Sequence, residues 1–81
     1  MMPGPMKRKK LYRHILKSLH DTGYFDDWRQ TDEVCRKVNM DVPDRWSQLH
    51  GSALFRYMRE LSVEERHIWR RTQMVRQWKK I

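Results

Sequence analysis

Apolar positions divide the chain into four stretches. Leu11, Tyr12, Ile15, Leu16 and Leu19 recur at i, i+1, i+4, i+5 and i+8, one face of an α-helix. Arg13, His14 and Lys17 fall on its other side. Gly23 follows where a helix end calls for a left-handed backbone, and His20 in the last turn suits the carbonyl end of the dipole when protonated. The stripe reads as core rather than as a membrane or partner surface. Residues 24–30 form a connector holding Phe25 and Trp28, with room for a brief strand. Thr31 then reads as an N-cap, with Asp32 and Glu33 in the first turn and Val34, Cys35 and Val38 on the buried face of a short second helix. Residues 39–43 end it, because Pro43 disfavours helix at Val42.

Asp44 is placed to cap a third helix. Trp46, Leu49, Ala53, Leu54, Tyr57, Met58 and Leu61 form its apolar stripe, and His50 falls within it as a packed histidine. The opposite face reads Ser47, Gln48, Ser52, Phe55, Arg56 and Arg59. Gly51 in mid-helix costs about 1 kcal/mol relative to Ala. It marks either a close backbone approach or a restart of the helix at Ser52.

Residues 67–81 read two ways. As a helix, Ser62 and Glu65 make an S-x-x-E capping box, and Ile68, Val75 and Trp78 share a face. As a β-hairpin, residues 68–71 and 75–80 are strands with a turn near Thr72 and Gln73, supported by β-branched and aromatic residues. That turn lacks Gly, Asn and Pro. Local propensity favours the helix; the arrangement of the whole chain favours the hairpin. Trp69 and Trp78 are expected in the core or covering the sheet.

Charge sharpens the picture. The 81 residues carry 18 Lys+Arg against 10 Asp+Glu, a formal net charge of +8. Residues 1–20 hold six bases and no acid, residues 21–44 seven acids and three bases, and residues 45–81 nine bases and three acids. Two basic ends around an acidic middle make one positive face after folding. Four Trp, three Tyr and two Phe spread along the chain argue for a folded core despite a charged fraction of 35%. The expected organisation is a flexible basic leader over residues 1–8 and a single domain over residues 9–81.

Three helices followed by a basic terminal ribbon is the layout of a winged helix-turn-helix. The chain resembles that superfamily over residues 9–81, through TDEVCRKV, SQLHGSALFRYMREL and HIWRRTQMVRQWKKI. PDRWSQLHGSALFRYM is also similar to phage-encoded winged-helix proteins. The fold class expected is mainly α with a small C-terminal β-hairpin; the alternative is an all-α four-helix domain with residues 62–80 helical.

Chemistry narrows the function classes. One cysteine, Cys35, excludes a disulfide scaffold. It reads as a buried small residue rather than a nucleophile. Four dispersed His, with no C-x-x-C or H-x-x-x-H pair, provide no zinc set. Asp26–Asp27 and Glu64–Glu65 are adjacent and so do not share a helix face. Glycines at 4, 23 and 51 make no phosphate loop. No catalytic, cofactor or metal residue is expected, and no enzyme. Membrane insertion and secretion are not expected either, which points to the cytoplasm or a host nucleoid.

Double-stranded DNA is the expected partner. In helix-turn-helix proteins the second helix of the motif enters the major groove. The candidate readers are Ser47, Gln48, Ser52, Arg56 and Arg59, because Gln pairs with adenine and Arg with guanine. Arg70, Arg71, Arg76 and Lys79 on the ribbon, with Lys7, Arg8, Lys9 and Lys10 on an N-terminal arm, are the candidate phosphate contacts. A small transcription or replication regulator fits, with a homodimer compatible. The competing classes are a domain that docks an acidic protein such as a polymerase subunit, and an RNA-binding protein.

Overall fold

The computed structural model describes residues 8–43 and 48–81. Helix α1 spans Arg8–Asp21, a 3₁₀ turn Tyr24–Asp26, strand β1 Arg29–Gln30, helix α2 Thr31–Asn39, helix α3 Gly51–Met58, strand β2 Val63–Arg70 and strand β3 Gln73–Lys80. The described residues thus form three helices and one antiparallel sheet of strand order β1-β3-β2. The fold is α+β, and the four-helix alternative does not hold. The expectations for Lys7, for Asp44 as a cap, for Trp46 and for Ser47 lie outside the described residues, as does the Arg8 side chain.

Helix α1 follows its stripe. Tyr12, Ile15 and Leu16 are buried, and Gly23 takes φ 92° just beyond the helix. The helix already begins at Arg8, so Lys9 and Lys10 are exposed residues of its first turn rather than a flexible arm. Edge-on contact of Tyr12 with Tyr57, 5.8 Å between centroids, packs α1 on α3. Arg13 Nε donates to Glu60 Oε2 at 3.0 Å across the same seam.

Helix α2 is capped one residue earlier than expected. Gln30 is its N-cap, in a capping box with Glu33, and Thr31 is the first helical residue. The Thr31 hydroxyl instead donates to the Arg76 carbonyl at 3.3 Å. Arg29 Nη1 reaches Glu33 Oε2 at 3.0 Å and Arg29 Nε reaches the Tyr24 carbonyl at 2.6 Å, so β1 is held to both its neighbours. Val34, Cys35 and Val38 are buried as the period predicts.

Helix α3 is shorter than the apolar stripe. It runs from Gly51 to Met58, and Gln48, Leu49 and His50 are not helical. The cause is Asn39. Its Nδ2 donates to the Leu49 carbonyl at 3.1 Å, and its Oδ1 accepts from the Leu49 N–H at 2.7 Å. A backbone N–H given to the Asn39 side chain is not available to close a helical bond there. Leu49 is still buried, at 2% exposure, but His50 is exposed rather than packed. Gly51 therefore starts the helix rather than interrupting it.

The C-terminal residues pair as strands because long-range partners outweigh local helix preference. Val63 faces Lys80 at one end and Arg70 faces Gln73 at the other. β1 adds Arg29 opposite Trp78 and Gln30 opposite Gln77. The Ser62 carbonyl accepts from Ile81 N–H at 3.2 Å and lies 3.0 Å from His20 Nε2, so Ser62 closes the sheet instead of capping a helix. The turn is Arg71–Thr72, one residue earlier than expected, with Arg71 at φ 56°.

One core serves all elements. Phe25, Leu16, Leu54, Val34 and Val38 are its fully buried centre. Trp78 closes it from the sheet at 3% exposure, tilted on Phe55 at 5.7 Å. Phe55 thus leaves the polar face assigned to it and packs on β3.

Candidate nucleic-acid interface

At 100° per residue, Ser52, Arg56 and Arg59 share one narrow stripe of α3. Leu54, Tyr57 and Met58 occupy the opposite side and are buried. Burying that side turns the stripe to solvent: Ser52, Arg56 and Arg59 are all exposed. Neither guanidinium has an ion-pair partner among the described residues.

The hairpin sorts its charges by face. Because side chains alternate, Trp69, His67, Glu65 and Val63 share one side of β2 with Met74, Arg76, Trp78 and Lys80 of β3. This is the side that packs on α3 through Phe55 and Trp78. Glu64, Arg66, Ile68 and Arg70 take the other, with Lys79, Gln77, Val75 and Gln73. Lys79, half-buried beside Glu64, therefore lies on the face away from α3. At the turn, Arg70 and Arg71 are exposed and have no ion-pair partner among the described residues.

Arg76 has a different role from the one expected. Its Nε lies 2.7 Å from Glu65 Oε1 and 3.2 Å from His67 Nε2, and its guanidinium carbon stands 4.0 Å above the Phe55 ring. These contacts tie the hairpin to α3, so Arg76 is a structural cation. Arg66 is similarly committed: Nε donates to Gln77 Oε1 at 2.8 Å, and the group stacks 4.1 Å over Trp28. That bond satisfies the side-chain oxygen of Gln77, which is 5% exposed.

Between α2 with residues 48–51 on one side and β3 on the other lies an open cleft of about 1150 Å³. Of the expected contact residues, Gln48, Arg70, Arg71 and Arg76 line it. Ser52, Arg56 and Arg59 do not; they form a separate patch on α3. Asp32 contributes a carboxylate to the cleft wall, with Arg36 Nη2 3.7 Å away.

Among the described residues two groups have displaced acidities. Burial, then the Asp32 charge, pushes the Cys35 thiol up, so it stays protonated at neutral pH. The arrangement suits a packed thiol, not a nucleophile. Tyr24 is raised by burial and then by Glu33, against the opposing pull of Arg29. Among the described residues no three His, Cys, Asp or Glu side chains converge as metal ligands, and no helix is long and apolar enough to cross a membrane.

Three features escaped the periodicity reading. Trp69 is 68% exposed, not part of the core, because the helix layer ends below it. Glu65, His67 and Arg76 meet only because the strands pair. The Asn39 clamp on Leu49 leaves no trace in hydrophobic spacing. Period-two alternation of Glu65, His67 and Trp69 was the available signal for the first two.

Comparison with known proteins gives no match: no family model, no curated protein and no solved structure.

Proposed function

We propose that this chain is a double-stranded DNA-binding domain of the winged helix-turn-helix type, acting as a small transcription or replication regulator. The order of helix, short strand, two helices and basic hairpin supports the type, as does a sheet with β1 and β2 flanking β3. Fold alone does not assign function. The observation that carries the reading is the placement of uncompensated charge. Arg56 and Arg59 on α3, and Arg70 and Arg71 at the hairpin turn, are exposed and without ion-pair partners among the described residues, while Arg13, Arg29, Arg36 and Arg76 are paired within the fold. Arginines neutralised within the fold beside others left exposed and unpaired on two surfaces suit a polyanion. In this reading Arg56 and Arg59 face base edges, with Ser52 beside them. Arg70 and Arg71 hold phosphates, with Lys9 and Lys10 as further backbone contacts.

Fluorescence anisotropy with a labelled duplex across a salt series tests this, with duplex RNA as competitor. Affinity should fall steeply with salt, with a log–log slope of about −3 to −4 for four displaced counterions. Arg56→Ala or Arg59→Ala should cost about 1–3 kcal/mol on a preferred sequence and relax that preference. Arg71→Ala should weaken all sequences alike. No binding at low salt sinks the reading and leaves the basic surfaces to an acidic protein partner.

A further inference from the structure

The hairpin ends in an apolar patch that the duplex reading does not use. Trp69 is 68% exposed and Met74 50% exposed. They are register partners, so their side chains stand together on one face of the ribbon. Nearer the base of the hairpin that same face is covered, with Trp78 buried against Phe55 and Arg76 lying over the Phe55 ring. Beyond Arg76 it is bare. A two-residue turn needs no tryptophan, and an indole held in water forgoes the burial that dominates its energetics.

The surroundings of the patch define what fits it. Arg71 at the turn and Arg70 on the opposite face of the ribbon are exposed and without ion-pair partners among the described residues. Glu65, the acid on this face of β2, is already taken by Arg76 at 2.7 Å. The tip therefore presents an aromatic face and a thioether, with one free cation at the turn and a second across the ribbon. An acidic peptide satisfies the cations but leaves the ring in water. An apolar protein surface covers the ring but strips water from the unpaired guanidinium at the turn. A nucleotide answers both needs, through the π-face of its base and the charge of its phosphates.

A base inside a duplex hides its faces in the stack. We infer that the hairpin tip is a stacking site for an exposed nucleobase at the junction of duplex and single strand. Trp69 takes the base face, Met74 packs beside it, and Arg71 at the turn holds the adjoining phosphate, with Arg70 on the ribbon's opposite face reaching the strand beyond it. This rests on the nucleic-acid reading above and names its substrate as a junction rather than a continuous duplex.

The test compares a blunt duplex with one carrying a short single-stranded overhang, matched in total phosphates, in wild type and Trp69→Ala. Wild type should bind the overhang form more tightly by about fivefold to about a hundredfold, the range stacking on one base is worth. Trp69→Ala should lose that preference and keep its affinity for the blunt duplex. Trp69→Phe should retain part of it, and the tryptophan quenching that the overhang adds in wild type should vanish in Trp69→Phe. A wild type indifferent to the overhang, or a Trp69→Ala loss equal on both forms, overturns the stacking site while duplex binding stands. Binding to neither form overturns both readings.

Discussion

A side chain at Gly51 would stand 3.0 Å from Cγ2 of Thr31. The first residues of α2 and α3 meet there, and Thr31 is not free to retreat. Its hydroxyl is bonded to the Arg76 carbonyl, so two helices and the sheet converge at one contact. Gly51→Ala adds helix propensity but forces that contact apart, and overpacking wins at this distance. We expect Gly51→Ala alone to cost about 1 kcal/mol, or a melting temperature roughly 4–8 °C lower. Thr31→Ser removes Cγ2 and keeps the hydroxyl. In that background Gly51→Ala should raise the melting temperature. Thermal unfolding of the four proteins measures the coupling, and additive effects would contradict it.

Asn39 should matter more than its half-exposed position implies. Asn39→Ala removes two hydrogen bonds from the Leu49 backbone, whose residue is 2% exposed. A buried donor and acceptor left unsatisfied cost about 2–3 kcal/mol together. Denaturant titration should show that loss, and hydrogen exchange should show the Leu49 amide opening first. A loss below about 0.5 kcal/mol is inconsistent with the clamp.

Arg71 should trade stability for binding. Its φ of 56° is left-handed backbone that costs an L-residue about 1–2 kcal/mol and glycine nothing. Arg71→Gly should leave the fold as stable or up to about 1 kcal/mol more stable, since glycine's greater unfolded-state freedom takes back part of the gain. The same variant should bind duplex DNA more weakly on every sequence. Paired melting and anisotropy measurements check both directions; a less stable Arg71→Gly contradicts the strain argument.

Alkaline pH should lower the domain's stability through two groups. Cys35 and Tyr24 are both raised in the folded state, from ordinary values of 9.0 and 10.0. Raised acids contribute stability in full below their unfolded values and lose it as pH climbs through the folded ones. Stability should therefore start to decline near pH 9, first through Cys35 and then through Tyr24. Cys35→Ala and Tyr24→Phe should each flatten the part of the decline that belongs to it. Denaturant midpoints from pH 7 to 11 give the curves, and parallel curves for all three proteins argue against these groups.

Some features needed nothing beyond neighbours in the chain. The α1 stripe buried Tyr12, Ile15 and Leu16, and Val34, Cys35 and Val38 went inside on α2. Gly23 took the left-handed backbone required beyond α1. Ser52, Arg56 and Arg59 came out exposed because helical period separates them from Leu54 and Met58. Each depends on spacing along one element, which the order of residues states directly.

The rest was decided between elements. Residues 63–80 have a respectable helical reading, and they became strands because each found partners far away, Trp78 opposite Arg29 among them. Helix α3 began at Gly51 because Asn39, ten residues before Leu49 in sequence, holds that backbone. Arg76 and Arg71 look equally basic in sequence; pairing put one against Glu65 and Phe55 and left the other at the turn. Trp69 and Trp78 occupy the same face of one ribbon, yet one is 68% exposed and the other 3%. The chain by itself determined which residues are apolar, which are charged, and which face of a helix they share. Only the tertiary structure decided which of them are covered, because burial depends on where the neighbouring layer ends, and no local period encodes that.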